Sequence, residues 1–190
     1  MVMIQREEAY AMVKDLVKNE NLIKHMLTVE AALEDYAMRL GQDKNLWGVT
    51  GLLHDADWEA YPDIHPKHIV KILRERNQNE NDPNIEEMAH AIASHGNGDR
   101  FEKRESLLDH YLYACDELSG FIVACALVNP EKLSGVKITS VIKRLKDKSF
   151  ARGVNREDIT ESLQEIGLPI ETHVENVLNS LLRIKDTLGL

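Results

Sequence analysis

Residues 45–66, "NLWGVTGLLHDADWEAYPDIHP", run from an apolar helix straight into a cluster of ionisable side chains. The first half is apolar on most sides of a helix, which makes it a central element of a bundle rather than a surface one. The second half sets His54, Asp55, Asp57, Glu59, Asp63 and His65 at the edge of that buried helix. A carboxylate at a helix C-terminus gains nothing from the helix dipole, and a buried imidazole needs a partner. A metal ion satisfies both demands.

Outward from this segment the periodicity is helical throughout, with no strand alternation, internal repeat or low-complexity stretch. Asp43 caps the central helix, which is expected to end near Asp57. Upstream, a helix over about 5–18 carries Ala9, Val13 and Val17 on one face, and a second, capped by Asn21, runs to Leu40 before Gly41. Downstream, Pro66 opens a helix through "KHIVKILRER", and Asp82-Pro83 opens another that ends at "SHG". A long helix spans about 106–128, followed by three near 138–147, 156–166 and 170–187. The expected fold is all-α: a single-domain bundle of eight to nine helices, with a core over about 20–128 and helices of 131–190 packed on it.

With 43% hydrophobic and 29% charged residues in 190, the chain has an ordinary globular balance able to fill a core. A net charge of −9 and the lack of a basic run argue against a nucleic-acid polymer as partner. The longest apolar run, "FIVACALV" at 121–128, is too short to span a bilayer, and "MVMIQREEAY" lacks the apolar region of a secretion signal. The expectation is a cytoplasmic chain without membrane attachment. Cys115 and Cys125 fall ten apart on one helix, about 15 Å by helical rise, beyond disulfide reach, and read as reduced buried thiols.

A histidine followed by an aspartate is a weak signal by itself, so its context must carry the inference. His25 lies on the same stripe as Leu22, Val29 and Leu33 and points into the interior. His95 ends a helix that carries Met88, Ala91 and Ile92, and Asp116 shares a face with Leu112 and Gly120. Each of the most apolar helices thus directs one or two groups of metal-ligand chemistry inward. Imidazole and carboxylate without thiolate suit Mn, Fe, Co, Ni or a catalytic Zn rather than a structural zinc site.

This order of residues, His25, then His54-Asp55, then a histidine pair, then Asp116, resembles the HD superfamily of metal-dependent phosphohydrolases. The resemblance implies that His25, His54, Asp55 and Asp116 hold one divalent metal, and that a second, where present, takes two further histidines with Asp55 bridging. "HPKHIVKIL" assigns His65 to the pair, with His68 as its competitor, and "AIASHG" assigns His95. His90 lies about 140° around the helix from His95 and, with His110 and His173, is assigned to structure or surface. "YACDELSGFIVACALVNP", "KDKSFARGVNRE" and "GLPIETHVENVL" are similar to small stand-alone HD proteins described as hydrolases.

The resemblance implies hydrolysis of a small phosphorylated molecule, a nucleotide or phosphoester, by a hydroxide generated on one or two divalent ions (Mn, Fe, Zn, Co, Ni or Mg). Asp55 is the candidate catalytic carboxylate. Asp57 would orient a ligand histidine or accept a proton, Lys148 and Arg152 would offset transition-state charge, and Glu117, Trp58 and Tyr61 have either a site or a packing role. Two other readings of the same residues are a di-iron oxygenase and a non-catalytic metal-binding sensor.

Overall fold

The computed structural model describes residues 4–190, and the start of the segment read as lacking a secretion signal, residues 1–3, lies outside them. Among the described residues the fold is all-helical. Nine helices of eight or more residues follow one another: α1 (Arg6–Leu16), α2 (Glu20–Leu40), α3 (Lys44–Leu53), α4 (Lys67–Glu80), α5 (Pro83–Ser94), α6 (Leu107–Leu127), α7 (Ile138–Leu145), α8 (Arg156–Ile166) and α9 (Ile170–Arg183). A 3₁₀ turn at Lys132–Gly135 and a final turn of helix, α10 (Lys185–Leu188), complete it. No helix of the described residues is long and apolar enough to cross a membrane.

Helix starts follow cap chemistry. The Asp43 carboxylate accepts the amides of Asn45 and Leu46, and the Asp82 carboxylate accepts that of Asn84. Ser106 and Asp109 form a reciprocal capping box at the head of α6. Two expected boundaries differ. Asn19, not Asn21, caps α2, because its side chain accepts the Asn21 amide. α3 closes at Leu53 rather than near Asp57, and the chain continues through overlapping turns to His65. His54 itself keeps helical dihedrals, φ −55° and ψ −38°, and Asp55 follows it at the head of these turns.

α2 and α3 make the most extensive helix pair and form the centre of the molecule. They approach so closely at Gly51 that a Cβ there would meet the Val29 carbonyl carbon and the Glu30 amide nitrogen at 2.9 Å, so only glycine fits. α6 lies across both, and α5 packs against α3 and α6. Leu33, Leu52, Leu53, Leu112, Leu118 and Ile122 are fully buried between them. Cys115 and Cys125 are buried and unbonded, and burial pushes both thiols up, Cys125 to about 11.

The C-terminal helices pack onto this frame through α8 against α6 and α9 against α2. Polar contacts fix α9: Ser180 Oγ donates to Asp35 at 2.5 Å, and Arg183 pairs with the same carboxylate. His173 Nε2 donates to the Ala114 carbonyl at 2.9 Å, which leaves Nδ1 to accept the Tyr36 hydroxyl at 2.6 Å. His173 is therefore structural, and burial drives its pKa down to about 4. The folded state holds it neutral while the unfolded chain takes up a proton below about 6.5, so its stabilising contribution is intact above that pH and is lost as pH falls towards 4. Urea unfolding of His173→Gln, which cannot titrate, should lack about 2 kcal/mol of the stability loss that the parent shows between pH 7.5 and pH 5. Equal losses in both proteins would show that His173 titrates normally in the fold.

Candidate metal centre

Six side chains from five parts of the chain converge where α3 ends. α2 supplies His25 and the end of α3 supplies His54 and Asp55. The turn before α4 supplies His65, the end of α5 supplies His95, and the middle of α6 supplies Asp116. All of the residues expected as ligands are brought together. Two triplets, His25/His54/Asp55 and Asp55/His65/His95, each offer ligand atoms within 4.8 Å of one another. Asp55 belongs to both. Its Oδ2 lies 3.7 Å from His25 Nε2 and 3.6 Å from His54 Nε2, and its Oδ1 lies 3.4 Å from His65 Nε2 and 3.7 Å from His95 Nε2. Asp116 Oδ1 joins the first group, 2.9 Å from His25 Nε2 and 3.5 Å from His54 Nε2.

The rings are held by their far sides. His54 Nδ1 donates to the Gly51 carbonyl at 2.8 Å and His95 Nδ1 to the Ile92 carbonyl at 2.6 Å. His65 Nδ1 donates to Asp57 Oδ1 at 2.6 Å. With Nδ1 carrying the proton, each neutral ring turns a bare Nε2 lone pair inward, the arrangement in which a histidine binds a metal. His54 Nε2 is buried with no hydrogen-bond partner. His65 Nε2 and His95 Nε2 face each other at 3.2 Å. In the neutral tautomers that juxtaposes two lone pairs, which a cation between them and Asp55 would resolve. The donor set therefore fits a divalent metal.

The electrostatics point the same way. Burial disfavours charge on Asp55 and Asp116, yet the imidazoles around them hold both carboxyls well below the usual carboxylate range: His54, His95 and His25 for Asp55, His25 and His54 for Asp116. Burial likewise opposes a charged His54, but Asp55 and Asp116 outweigh it and push the ring up to about 9. The two carboxylates demand positive charge at these nitrogens, and a metal supplies it in place of protons.

Asp57 explains how the turn delivers His65. It is fully buried, with Oδ1 on His65 and Oδ2 accepting the amides of His68 and Ile69 at 3.0 Å each. Pro66, expected as the first residue of α4, stands at its N-cap without a side chain able to cap, and Asp57 does that work instead. Both oxygens are committed, so Asp57 positions His65 and is not placed to take a proton from water. Of the two competing histidines, His65 joins the cluster, while the His68 ring stacks on Tyr61 with centroids 3.8 Å apart. Glu59 ties this turn to the start of α2 by accepting the amides of Lys18 and Asn19.

Arg104 holds the His95 end. Its guanidinium donates to the carbonyls of Ser94 and Gly96, pairs with Glu165 at 2.8 Å and lies 3.7 Å from the Tyr113 ring centroid. Phe101 packs edge-on against His95, 5.2 Å between centroids, a seat available only because residue 96 is glycine: a Cβ there would stand 2.5 Å from the Phe101 ring. His90 pairs with Asp109 and His110 with Glu165, consistent with structural roles.

The cluster opens into a cavity of about 380 Å³. Beyond the ligands, its walls include Trp58, Asn97, Phe101, Tyr113, Glu117 and Asp158. Burial and the neighbouring Asp116 charge push Glu117 up to about 7, although it accepts the Asn155 amide. Lys148 and Arg152 do not line this cavity; they border a separate one with Arg156 and Thr160. The cause is Arg156, whose guanidinium gathers the carbonyls of Asp147, Phe150, Ala151 and Val154 and wraps residues 147–154 around itself. Sequence reasoning missed Arg156, Asn97, Phe101, Tyr113 and Asp158, none of which stands in a pattern that marks it as facing a site.

Comparison with known proteins gives one assignment: residues 22–120 match the family model described as HD domain. No curated protein and no solved structure gives a significant match.

Proposed function

The chain belongs to the HD-domain family, and from that membership and the site geometry we propose that it is a metal-dependent phosphohydrolase acting on a small phosphorylated molecule. The observation that carries the reading is the double triplet sharing Asp55, with one carboxylate oxygen turned to each histidine pair. His25, His54, Asp55 Oδ2 and Asp116 would hold one divalent ion, and Asp55 Oδ1, His65 and His95 a second. Divalent ions held in this way lower the pKa of water towards neutrality and neutralise charge on phosphoryl oxygens.

The chain's own residues supply the rest. Gly51, Asp57 and Ile92 fix the tautomer and aim of three histidines from behind, so the ligand nitrogens would meet a metal already oriented. Asp55 sets the spacing of the two halves through one rigid carboxylate. Phe101 and Trp58 wall the His65 and His95 side and limit the water around the reacting group.

The test is turnover of p-nitrophenyl phosphate and bis(p-nitrophenyl) phosphate by protein reconstituted with Mn²⁺, Fe²⁺, Zn²⁺ or Co²⁺ in turn. Metal-dependent release of phosphate or nitrophenol supports the reading. Turnover that requires oxygen and releases no phosphate, or metal binding with no turnover across the panel, contradicts it. Asp57→Asn, which keeps a capping oxygen but loses the charged partner of His65, should lower metal affinity at the His65/His95 half by about 10–100-fold. Unchanged affinity by metal titration would remove Asp57 from this role.

A further inference from the structure

A second cavity, of about 300 Å³, adjoins the metal cavity and shares two of its lining residues, His25 and Gly120. Its other walls are mostly apolar: Val123 and Leu127 from α6, Leu188 of α10 and Leu190 after it, with Asn21 and Lys24 from α2 completing it. Leu188 is fully buried and Leu127 is 68% exposed, so the space has a closed floor and an open side. Other cavities meet the metal cavity at Phe101, at Gly96 and Asn97, or at Asn155, none of them an expected ligand. This one meets it at a ligand histidine.

The junction is built differently from the rest of the centre. His54, His65 and His95 each have Nδ1 tied to Gly51, Asp57 or Ile92. His25 turns Nε2 to Asp116 at 2.9 Å, while its Nδ1 has no hydrogen-bond partner among the described residues. A ring that ligates through Nε2 carries its proton on Nδ1, and that N–H calls for an acceptor. Beside it stands Gly120, where a Cβ would meet His25 Nδ1 at an ordinary 3.8 Å and no other neighbouring element within 4 Å. Packing therefore does not demand glycine at this point of α6, and glycine weakens a helix relative to alanine. What it leaves is open space beside Nδ1, at the place where the two cavities join.

We propose that the second cavity seats the organic group of the substrate, a phosphomonoester of an apolar alcohol. The phosphoryl group lies at the Asp55 centre, an ester oxygen accepts from His25 Nδ1 as the chain passes Gly120, and the carbon chain lies against Val123, Leu127, Leu188 and Leu190. This rests on the phosphohydrolase reading for the placement of the phosphoryl group. Hydrolysis would form a P–O bond from water and break the ester P–O bond, the leaving oxygen taking the proton, to give inorganic phosphate and the free alcohol.

The experiment compares ethyl phosphate and hexyl phosphate as substrates of the Mn²⁺-reconstituted full chain. In parallel, calorimetry compares binding of ethylphosphonate and hexylphosphonate, which have no ester bond to hydrolyse. Hexyl phosphate should exceed ethyl phosphate in kcat/KM by about thirtyfold, on the order of two- to threefold for each added methylene, with a similar ratio in the binding pair. Gly120→Leu, which fills the junction, and Leu127→Asp, which places a charge at the open side, should each bring both ratios towards one. Leu127 is exposed, so Leu127→Asp keeps the core intact and carries the test alone where Gly120→Leu does not fold. Equal hydrolysis of both esters with equal binding of both phosphonates overturns the proposal and leaves the phosphohydrolase reading standing. Selective binding of hexylphosphonate that Leu127→Asp abolishes, with neither ester hydrolysed, sinks the phosphohydrolase reading but upholds the apolar seat. A chain-length preference unchanged in Leu127→Asp and in folded Gly120→Leu overturns the proposal, because the chain then lies elsewhere, as against Trp58 and Phe101.

Discussion

Asp55→Ala protein is expected to lose hydrolysis of a generic phosphoester by about 10³-fold or more and to bind neither metal ion. No other side chain has this double effect. Asp55 alone belongs to both triplets, one oxygen on each side, so its loss takes an anionic ligand from both halves at once. It also leaves His65 Nε2 and His95 Nε2 facing each other at 3.2 Å without the carboxylate between the two groups of nitrogens. Loss of a ligand from one half only, as in His65→Ala, should leave the other half, His25, His54, Asp116 and Asp55 itself, able to bind one ion. Asp55 is partly exposed at the cavity, and truncating it leaves the apolar packing of α2, α3 and α6 intact, so circular dichroism and the cooperativity of unfolding should match the parent. If Asp55→Ala folds and keeps both ions or full turnover, the shared-carboxylate geometry has no functional meaning.

The second large effect is on stability. The site gathers two partly buried carboxylates and four imidazoles from parts of the chain far apart in sequence, and a cation that binds only when they are assembled stabilises the fold by mass action. At a free metal concentration 1,000 times Kd the gain is about 4 kcal/mol. For a chain of this size that corresponds to a rise in Tm of roughly 8–16 °C over protein stripped with chelator. The parent should show this rise with Mn²⁺, Fe²⁺, Zn²⁺ or Co²⁺ and lose it on chelation. Asp55→Ala should melt at the same temperature with and without metal. A parent whose melting is indifferent to both metal and chelator would mean that the cluster is satisfied by protons alone.

The fold was largely legible because caps and apolar stripes are local. Asp43 and Asp82 each announce a helix start, and the structure places a helix after each. His25 and Asp116 were legible for the same reason: on a continuous helix, the neighbours at i±3 and i±4 say which way a side chain points. The turn between α3 and α4 has no such periodicity. Nothing in "DADWEAYPDIHP" tells that Asp57 reaches forward to cap α4, or that His65 rather than His68 joins the cluster. The boundary at Leu53 was invisible too, since the apolar run gives no reason to stop before the turn begins.

Lys148 and Arg152 show the opposite failure. The resemblance of their segment to other small HD proteins suggested a role in the chemistry, but the segment folds around Arg156 and the two residues border a different cavity. The electrostatic character of the site was therefore misjudged from sequence. The residues that set it, Asn97, Tyr113, Glu117 and Asp158, meet only through the packing of α6, α8 and the loop after α5. An acidic, aromatic-edged cavity around a histidine and aspartate centre could not be assembled from spacing.

Elemental analysis of the parent and of Asp55→Ala, each stripped, reconstituted and desalted, tests the central claim most directly. The account predicts two divalent ions per parent chain and none in Asp55→Ala. A parent that holds no ion after reconstitution with any of these metals, or an Asp55→Ala protein that still holds two, would contradict it.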